Sequence, residues 1–303
     1  MASIGMETSL GPIRLRSPLI AASGTVGSVW EWATVANVKV YGAAVAKSVS
    51  ATPWEGRPPP RVAPAGWGML NGIGIQNPGI EAWKSDIEGR IPQSAVPVWG
   101  SAVGETVDEF VTVAKGQESA GVSVVEVNLS CPNLDDGRIF ALDSVLSSEV
   151  VAEVVGSLGV PVGAKLSPAA ADVVAVAGAC IDAGASFLTL TNTAPGFGVD
   201  IDRASPRLSG GVGGYSGPGL KPISLRCVYE VARAFPGFPI VGCGGVFTGE
   251  DVVEYLMSGA SAVGLGTVHF AEPKAGVRIE KEMRRVLKRL GFSKIEQVRG
   301  AAL

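Results

Sequence analysis

One thiol stands between two carboxamides in the segment Asn-Leu-Ser-Cys-Pro-Asn at Asn128–Asn133, directly after the β-type residues Val124, Val125 and Val127. Reactive groups in α/β folds gather at the carboxyl ends of strands, where loops bring them together. A thiol placed there can be a nucleophile, a metal ligand, a proton-transfer base or a small packing residue. Proline and two amides beside Cys131 favour chemistry over packing. The other cysteines, Cys180, Cys227 and Cys243, form no C-x-x-C pair with it or with each other, which argues against an iron–sulfur cluster or structural zinc held by this chain. They read as packing residues. The sole histidine, His269, leaves a Ser–His–Asp hydrolase one imidazole to use, and it reads as a structural group.

Other residues bear on the same chemistry. Lys47 and Lys165 fall at the ends of apolar runs, where a lysine is costly unless something pairs with it. A lysine at a strand end can also simply snorkel to water. Two of them favour an anionic or electron-rich ligand. Asn71, Asn77, Asn128, Asn133 and Asn192 supply amides, although asparagine also favours turns. Two glycine-bearing turns, Gly242–Val246 and Gly264–Thr267, follow the last two β-type runs. In a (β/α)8 barrel these are the turns that present backbone N–H groups to a phosphate.

The elements that must position these groups follow from periodicity. Strands are expected at 18–22, 43–48, 96–101, 124–129, 160–166, 187–191, 239–242 and 262–266. Between them run helical patterns such as Ile80, Trp83, Ile87 and Ile91, or Val107, Phe110, Val111 and Ala114. Eight strands alternating with helices, apolar on both faces, predict a closed TIM (β/α)8 barrel over one domain, residues 1–303. Residues 7–16 predict a β-hairpin turning at Gly11–Pro12, placed to cap the barrel bottom. Two connections, 50–79 and 194–221, are too long for plain turns and are expected as functional loops on the C-terminal face.

Composition bounds the function. With 303 residues, 47% hydrophobic and 17% charged, the chain can bury a large core. A net charge of -3 gives no basic surplus for nucleic acid or an anionic membrane. No apolar run approaches a membrane span, and the N-terminus lacks the basic and apolar regions of a signal peptide, so a cytoplasmic location is expected.

The chain resembles the FMN-containing catalytic subunit of the class 1B (NAD-linked) dihydroorotate dehydrogenases along nearly its whole length. The resemblance rests on the segments at 22–25, 46–49, 55–62, 68–79, 128–133, 192–193 and 216–223, and on the two glycine turns. The Asn71 and Cys131 segments are the most specific, and the Ser216 segment points to class 1B.

The resemblance implies FMN-dependent oxidation of dihydroorotate to orotate in pyrimidine biosynthesis, with Cys131 as general base. It assigns dihydroorotate to Lys47, Asn71, Gly72, Ile73, Gly74, Ile75, Asn128, Asn133, Asn192 and Thr193. It assigns FMN to Ser23, Lys47, Ser48, Ser101, Asn128, Lys165, Thr191, Gly217, Gly244, Gly245, Gly266 and Thr267. It further implies a homodimer core joined to an electron-transfer subunit, as a heterotetramer, with FAD and a [2Fe–2S] cluster on that subunit. A related flavin oxidoreductase acting on another dihydropyrimidine, or a non-catalytic flavin-binding scaffold, are the competing readings. Three features depart from the family pattern. Ser101 replaces an asparagine, the loop after Asn133 lacks a glycine pair, and the loop after Asn192 is longer and less apolar.

Overall fold

The structure, a computed structural model, describes residues 4–129 and 139–303. Eight parallel strands close into a barrel: Leu19–Ala21, Ala43–Val45, Val98–Ala102, Val125–Asn128, Val162–Leu166, Phe187–Leu190, Ile240–Cys243 and Ala262–Leu265. Each pairs with the next in sequence, and the eighth returns to the first through Val263 beside Leu19 and Leu265 beside Ala21. All eight expected strands are present, most of them a residue or two shorter than the apolar run.

Residues that pair across parallel strands point to the same side of the sheet, so register identifies the barrel interior. Ile20, Ala43, Val45, Trp99, Val124, Phe187, Val241 and Ala262 form one buried interior cluster, in which the rings of Trp99 and Phe187 lie 5.3 Å apart. Gly163 makes room for this layer, because a Cβ there would lie 2.1 Å from the Phe187 ring. Further along the same strands the inward positions turn polar, at Ser101, Glu126, Asn128, Lys165 and Thr189.

The hairpin Thr8–Leu10 and Ile13–Leu15 closes the opposite end. Leu10 and Leu15 join the interior cluster, and Thr8 Oγ1 donates to the carbonyl of Ser261, just before the eighth strand. The hairpin therefore plugs the amino-terminal mouth, as its position in the sequence predicts.

The outer helices bury their apolar faces on the barrel. Val107–Ser119 starts at Thr106, whose side chain accepts from the Glu109 N–H, and buries Phe110, Val113 and Ala114. Gly249–Met257 starts with a capping box between Thr248 and Asp251. The pattern through Ile80, Trp83 and Ile87 ends as a helix at Ile87, and Ile91 instead begins a short 3-10 turn.

The two long connections are not irregular loops. Val62–Ala65 and Gly68–Asn71 from one pair with Gly213–Ser216 and Ala194–Gly196 from the other in a four-stranded antiparallel sheet. A small cluster of Ala63, Leu70 and Leu208 lies under it. Among the described residues no helix is long and apolar enough to cross a membrane.

Candidate active site

The polar end of the barrel joins several of the expected site residues in one hydrogen-bonded array. Ser23 Oγ donates to the Ala46 carbonyl at 2.7 Å and lies 3.4 Å from Ser48 Oγ. Ser48 Oγ meets Ser101 Oγ at 2.9 Å and accepts from Asn128 Nδ2 at 3.3 Å. Asn128 Oδ1 accepts from Asn192 Nδ2 at 3.2 Å, and Asn192 Oδ1 accepts from the Thr193 N–H. Groups from the first, second, third, fourth and sixth barrel strands thus meet at one mouth. Ser101, fully buried, braces Ser48 from beneath, and its carbonyl accepts from Gln117 Nε2.

Lys165 faces the barrel interior from the fifth strand, in register with Asn128 and Thr189. Its ammonium lies 3.8 Å from Glu126 Oε1 and makes no hydrogen bond to a described residue. Glu126 Oε2 accepts from Thr189 Oγ1 at 2.7 Å. Sequence reasoning missed Glu126 and Thr189. The available signal was a carboxylate inside the apolar run Val124–Val127, two positions before Asn128 and hence on the same face. Cys243 lies near both charges. Burial pushes its thiol pKa up, with Lys165 pulling it down and Glu126 adding to the rise. Burial likewise raises Cys180, to about 12, and Cys227, so all three are protonated packing residues at neutral pH.

The Asn71 segment approaches the mouth from the four-stranded sheet. Asn71 Nδ2 donates to the Gly214 carbonyl, the Gly72 N–H donates to Arg61, and the Ile73 carbonyl accepts from the Arg57 N–H. Ile75 holds a φ of 52°, a left-handed conformation that a β-branched residue rarely adopts. Asn77 stabilises it: Nδ2 donates to the Ile75 carbonyl, while Oδ1 accepts from the Ser50 and Gly79 N–H groups. Asn77, counted among the mouth amides from sequence, is buried and serves as the clamp of this turn. Lys47 is half-buried after the second strand, its N–H donating to the Gly27 carbonyl.

The turns after the seventh and eighth strands open the backbone to a ligand. Gly244 and Gly245 have φ values of 137° and 70°. A Cβ on Gly245 would lie 2.6 Å from the Lys221 nitrogen and 2.8 Å from the Gly217 carbonyl oxygen, so the turn packs against the end of the long connection before Lys221. Gly217, with φ 106°, lies against the Cα of Gly68. A Cβ on Gly266 would meet only Ala22 and Thr25, at 3.8 and 3.9 Å. Lys221 binds Asp251 and Glu254 at 2.6 and 2.5 Å, and Asp251 also accepts from the Phe247 and Thr248 N–H groups. That carboxyl is held below its ordinary pKa, its bonds to Lys221 and to those N–H groups outweighing the upward push of burial. The pair fixes the glycine turn to the helix that follows it.

His269 ties the first-strand loop to the same region. Thr25 Oγ1 donates its only hydrogen to the Ala22 carbonyl, so at 3.0 Å it must accept from Nδ1–H of His269. Nε2 then accepts from the Tyr41 hydroxyl at 2.9 Å. Burial lowers the pKa of His269 to about 4, so it is neutral at working pH. Its structural role matches the sequence reading.

A family model described as dihydroorotate dehydrogenase matches residues 6–287. The chain belongs to the dihydroorotate dehydrogenase family. It is similar to proteins named "Dihydroorotate dehydrogenase B (NAD(+)), catalytic subunit". That of Alkaliphilus metalliredigens is 36% identical, covering 99% of this chain and 100% of the relative. The Geobacter sulfurreducens protein is 40% identical over 98% and 97% of the two chains. The Bacillus pumilus protein is 39% identical over 97% and 96%.

Beyond Lys47, Lys165 and residues 71–75, the described site residues divide between the array and the glycine turns. Ser23, Ser48, Ser101, Asn128, Asn192 and Thr193 share the hydrogen-bonded array. Thr191 bridges the array and the glycine turn, its Oγ1 donating to the Asn192 carbonyl at 2.9 Å and accepting from Ser224 Oγ at 2.7 Å under Gly244. Gly244, Gly245, Gly266 and Thr267 line the turns after the last two strands, and Gly217 packs against the first of these turns from the long connection after the sixth strand. Cys131 and Asn133 lie outside the described residues. The donor set fits FMN. Hydroxyls, an amide and a buried ammonium suit a planar ring with carbonyl oxygens, and the open glycine backbone suits a phosphate.

Proposed function

We propose that this chain catalyses FMN-dependent oxidation of (S)-dihydroorotate to orotate, as the catalytic subunit of an NAD-linked class 1B enzyme. The observation that carries this reading is the Ser48–Asn128–Asn192 array beside the buried ammonium of Lys165, at the carboxyl ends of the barrel strands of a family member.

Cys131, three residues beyond Asn128, takes a proton from the ring carbon next to the carbonyl. The neighbouring ring carbon gives up its hydrogen as hydride as the ring double bond forms. A thiol suits proton abstraction because its ordinary pKa of about 8.5 lies near neutrality. Lys47, Asn71, Asn128, Asn133 and Asn192 hold the substrate carboxylate and ring amides. The backbone from Gly72 to Ile75, clamped by Asn77, shapes the wall above the ring, and Thr193 extends it. Asn71, Asn128 and Asn192 are hydrogen-bonded in place before substrate arrives, and such preorganisation is where most electrostatic stabilisation of a transition state comes from. FMN, when bound, accepts the hydride. Lys165 and Ser48 would hold its ring, with Ser101 acting through Ser48, while Gly217, Gly244, Gly245, Gly266 and Thr267 would hold its phosphate.

The whole chain acts as one FMN-binding unit in the cytoplasm. It works as a homodimer core with a partner subunit that carries FAD and a [2Fe–2S] cluster. The word "subunit" in the relatives' names, and the lack of an NAD fingerprint in this sequence, support a partner subunit. Replacing the base tests the chemistry. Cys131→Ala should purify yellow yet be reduced by dihydroorotate at least a thousandfold more slowly in anaerobic stopped flow. Reduction at the parent rate would remove Cys131 from the mechanism.

A further inference from the structure

Glu126 is a buried carboxylate that the reaction itself does not use. It is 2% exposed, and Lys165 is 6% exposed. Burying an ionised carboxylate is costly unless it is paired and hydrogen-bonded, so its presence in an otherwise apolar strand calls for a reason. Here the pairing is incomplete. Oε2 accepts from Thr189, but Oε1 has no hydrogen-bond partner and faces Lys165 at 3.8 Å, beyond hydrogen-bond length. Thr189 pairs with Lys165 in register, so its hydroxyl holds the carboxylate beside the lysine. The lysine keeps its N–H donors for whatever lies above it.

The part-buried Lys221–Asp251 pair closes to 2.6 Å, whereas this one stands at 3.8 Å. At 3.8 Å in a buried site the carboxylate still offsets much of the ammonium charge, while leaving its donors unspent.

We propose that Glu126 is a positioning residue that holds Lys165 beneath the cofactor and sets how much of its positive charge the cofactor feels. The proposal rests on the FMN reading above. A cation beside a flavin favours the reduced, more negative form, and a counter-charge opposes this. Glu126 therefore lowers the midpoint potential of the bound FMN, and Thr189 limits how far it does so.

Spectroelectrochemical titration of the FMN-loaded protein at one fixed pH tests this. Glu126→Gln keeps the shape and removes the charge. The ratio of reduced to oxidised flavin at a given applied potential should rise about tenfold, equivalent to about 30 mV upward for a two-electron couple. Thr189→Val removes the donor that holds Oε2, lets the carboxylate close on Lys165, and should shift the midpoint the opposite way. A generally loosened barrel would not produce shifts of opposite sign. An unchanged or lowered midpoint in Glu126→Gln overturns the inference. Should that variant fail to fold, an unchanged or raised midpoint in Thr189→Val overturns it equally. A parent protein that takes up no FMN overturns the proposed function and this inference together, whereas unshifted midpoints in flavin-bearing variants overturn the inference alone.

Discussion

Asn192 shows how a single side chain is fixed for its task. Its Nδ2 is spent on Asn128 and its Oδ1 on the Thr193 N–H, so it adopts one orientation without substrate. Asn192→Ala should leave the FMN absorbance intact and raise KM for dihydroorotate about ten- to a hundredfold, as expected for loss of a hydrogen bond to a charged ligand worth roughly 1.5–3 kcal/mol. Steady-state kinetics beside a flavin spectrum checks this. His269 makes a prediction about pH. Its folded pKa of about 4 lies below the ordinary 6.5, so the unfolded chain takes up the proton first. Its contribution is therefore fully present above pH 6.5 and is lost as pH falls towards 4, by about 1.4 kcal/mol per unit and about 3 kcal/mol in all. Urea unfolding at several pH values should show His269→Gln less stable than the parent at pH 7.5, with the gap narrowing towards pH 4.5. A gap independent of pH would contradict a neutral buried imidazole.

At the scale of elements, the glycine turn after the seventh strand is the most constrained. Gly245 has φ 70° and approaches the backbone of both Lys221 and Gly217. A methyl group there must displace main chain, not a pliable side-chain tip. Gly245→Ala should cost about 1–3 kcal/mol of stability and weaken FMN binding at least tenfold, measurable by thermal shift with and without added FMN. The barrel strands were legible because strands buried on both faces leave continuous apolar runs, and the hairpin because Gly11 and Pro12 mark its turn. The sheet built from the two long connections was not. Its strands are glycine- and proline-rich, Gly68–Asn71 and Gly213–Ser216 among them, and lack apolar alternation. Their pairing joins segments more than a hundred residues apart, and no local pattern records that. Glu126 was missed for a related reason. Its meaning depends on Lys165 on the neighbouring strand and on Thr189 beyond it, which only register brings together.

As a whole molecule, the barrel is graded along its axis. The hairpin and the Trp99–Phe187 layer fill the amino-terminal end with apolar side chains, and the polar array occupies the other end. The fill excludes water from below and places two opposite charges, Lys165 and Glu126, on the floor of the mouth. Ser23, Ser48, Ser101, Asn128, Asn192 and Thr193 meet at that one mouth, although they come from five different strands. The family resemblance carried more of the site than periodicity did, because the roles of Cys131 and Asn133 rest on their motif and both lie outside the described residues. The central claim is that this mouth oxidises dihydroorotate with FMN. Anaerobic titration of the purified, FMN-loaded chain with dihydroorotate tests it most directly. The flavin absorbance should bleach completely with dihydroorotate and remain unchanged with dihydrouracil; an oxidised flavin that dihydroorotate cannot reduce, or one that dihydrouracil reduces instead, would contradict the account.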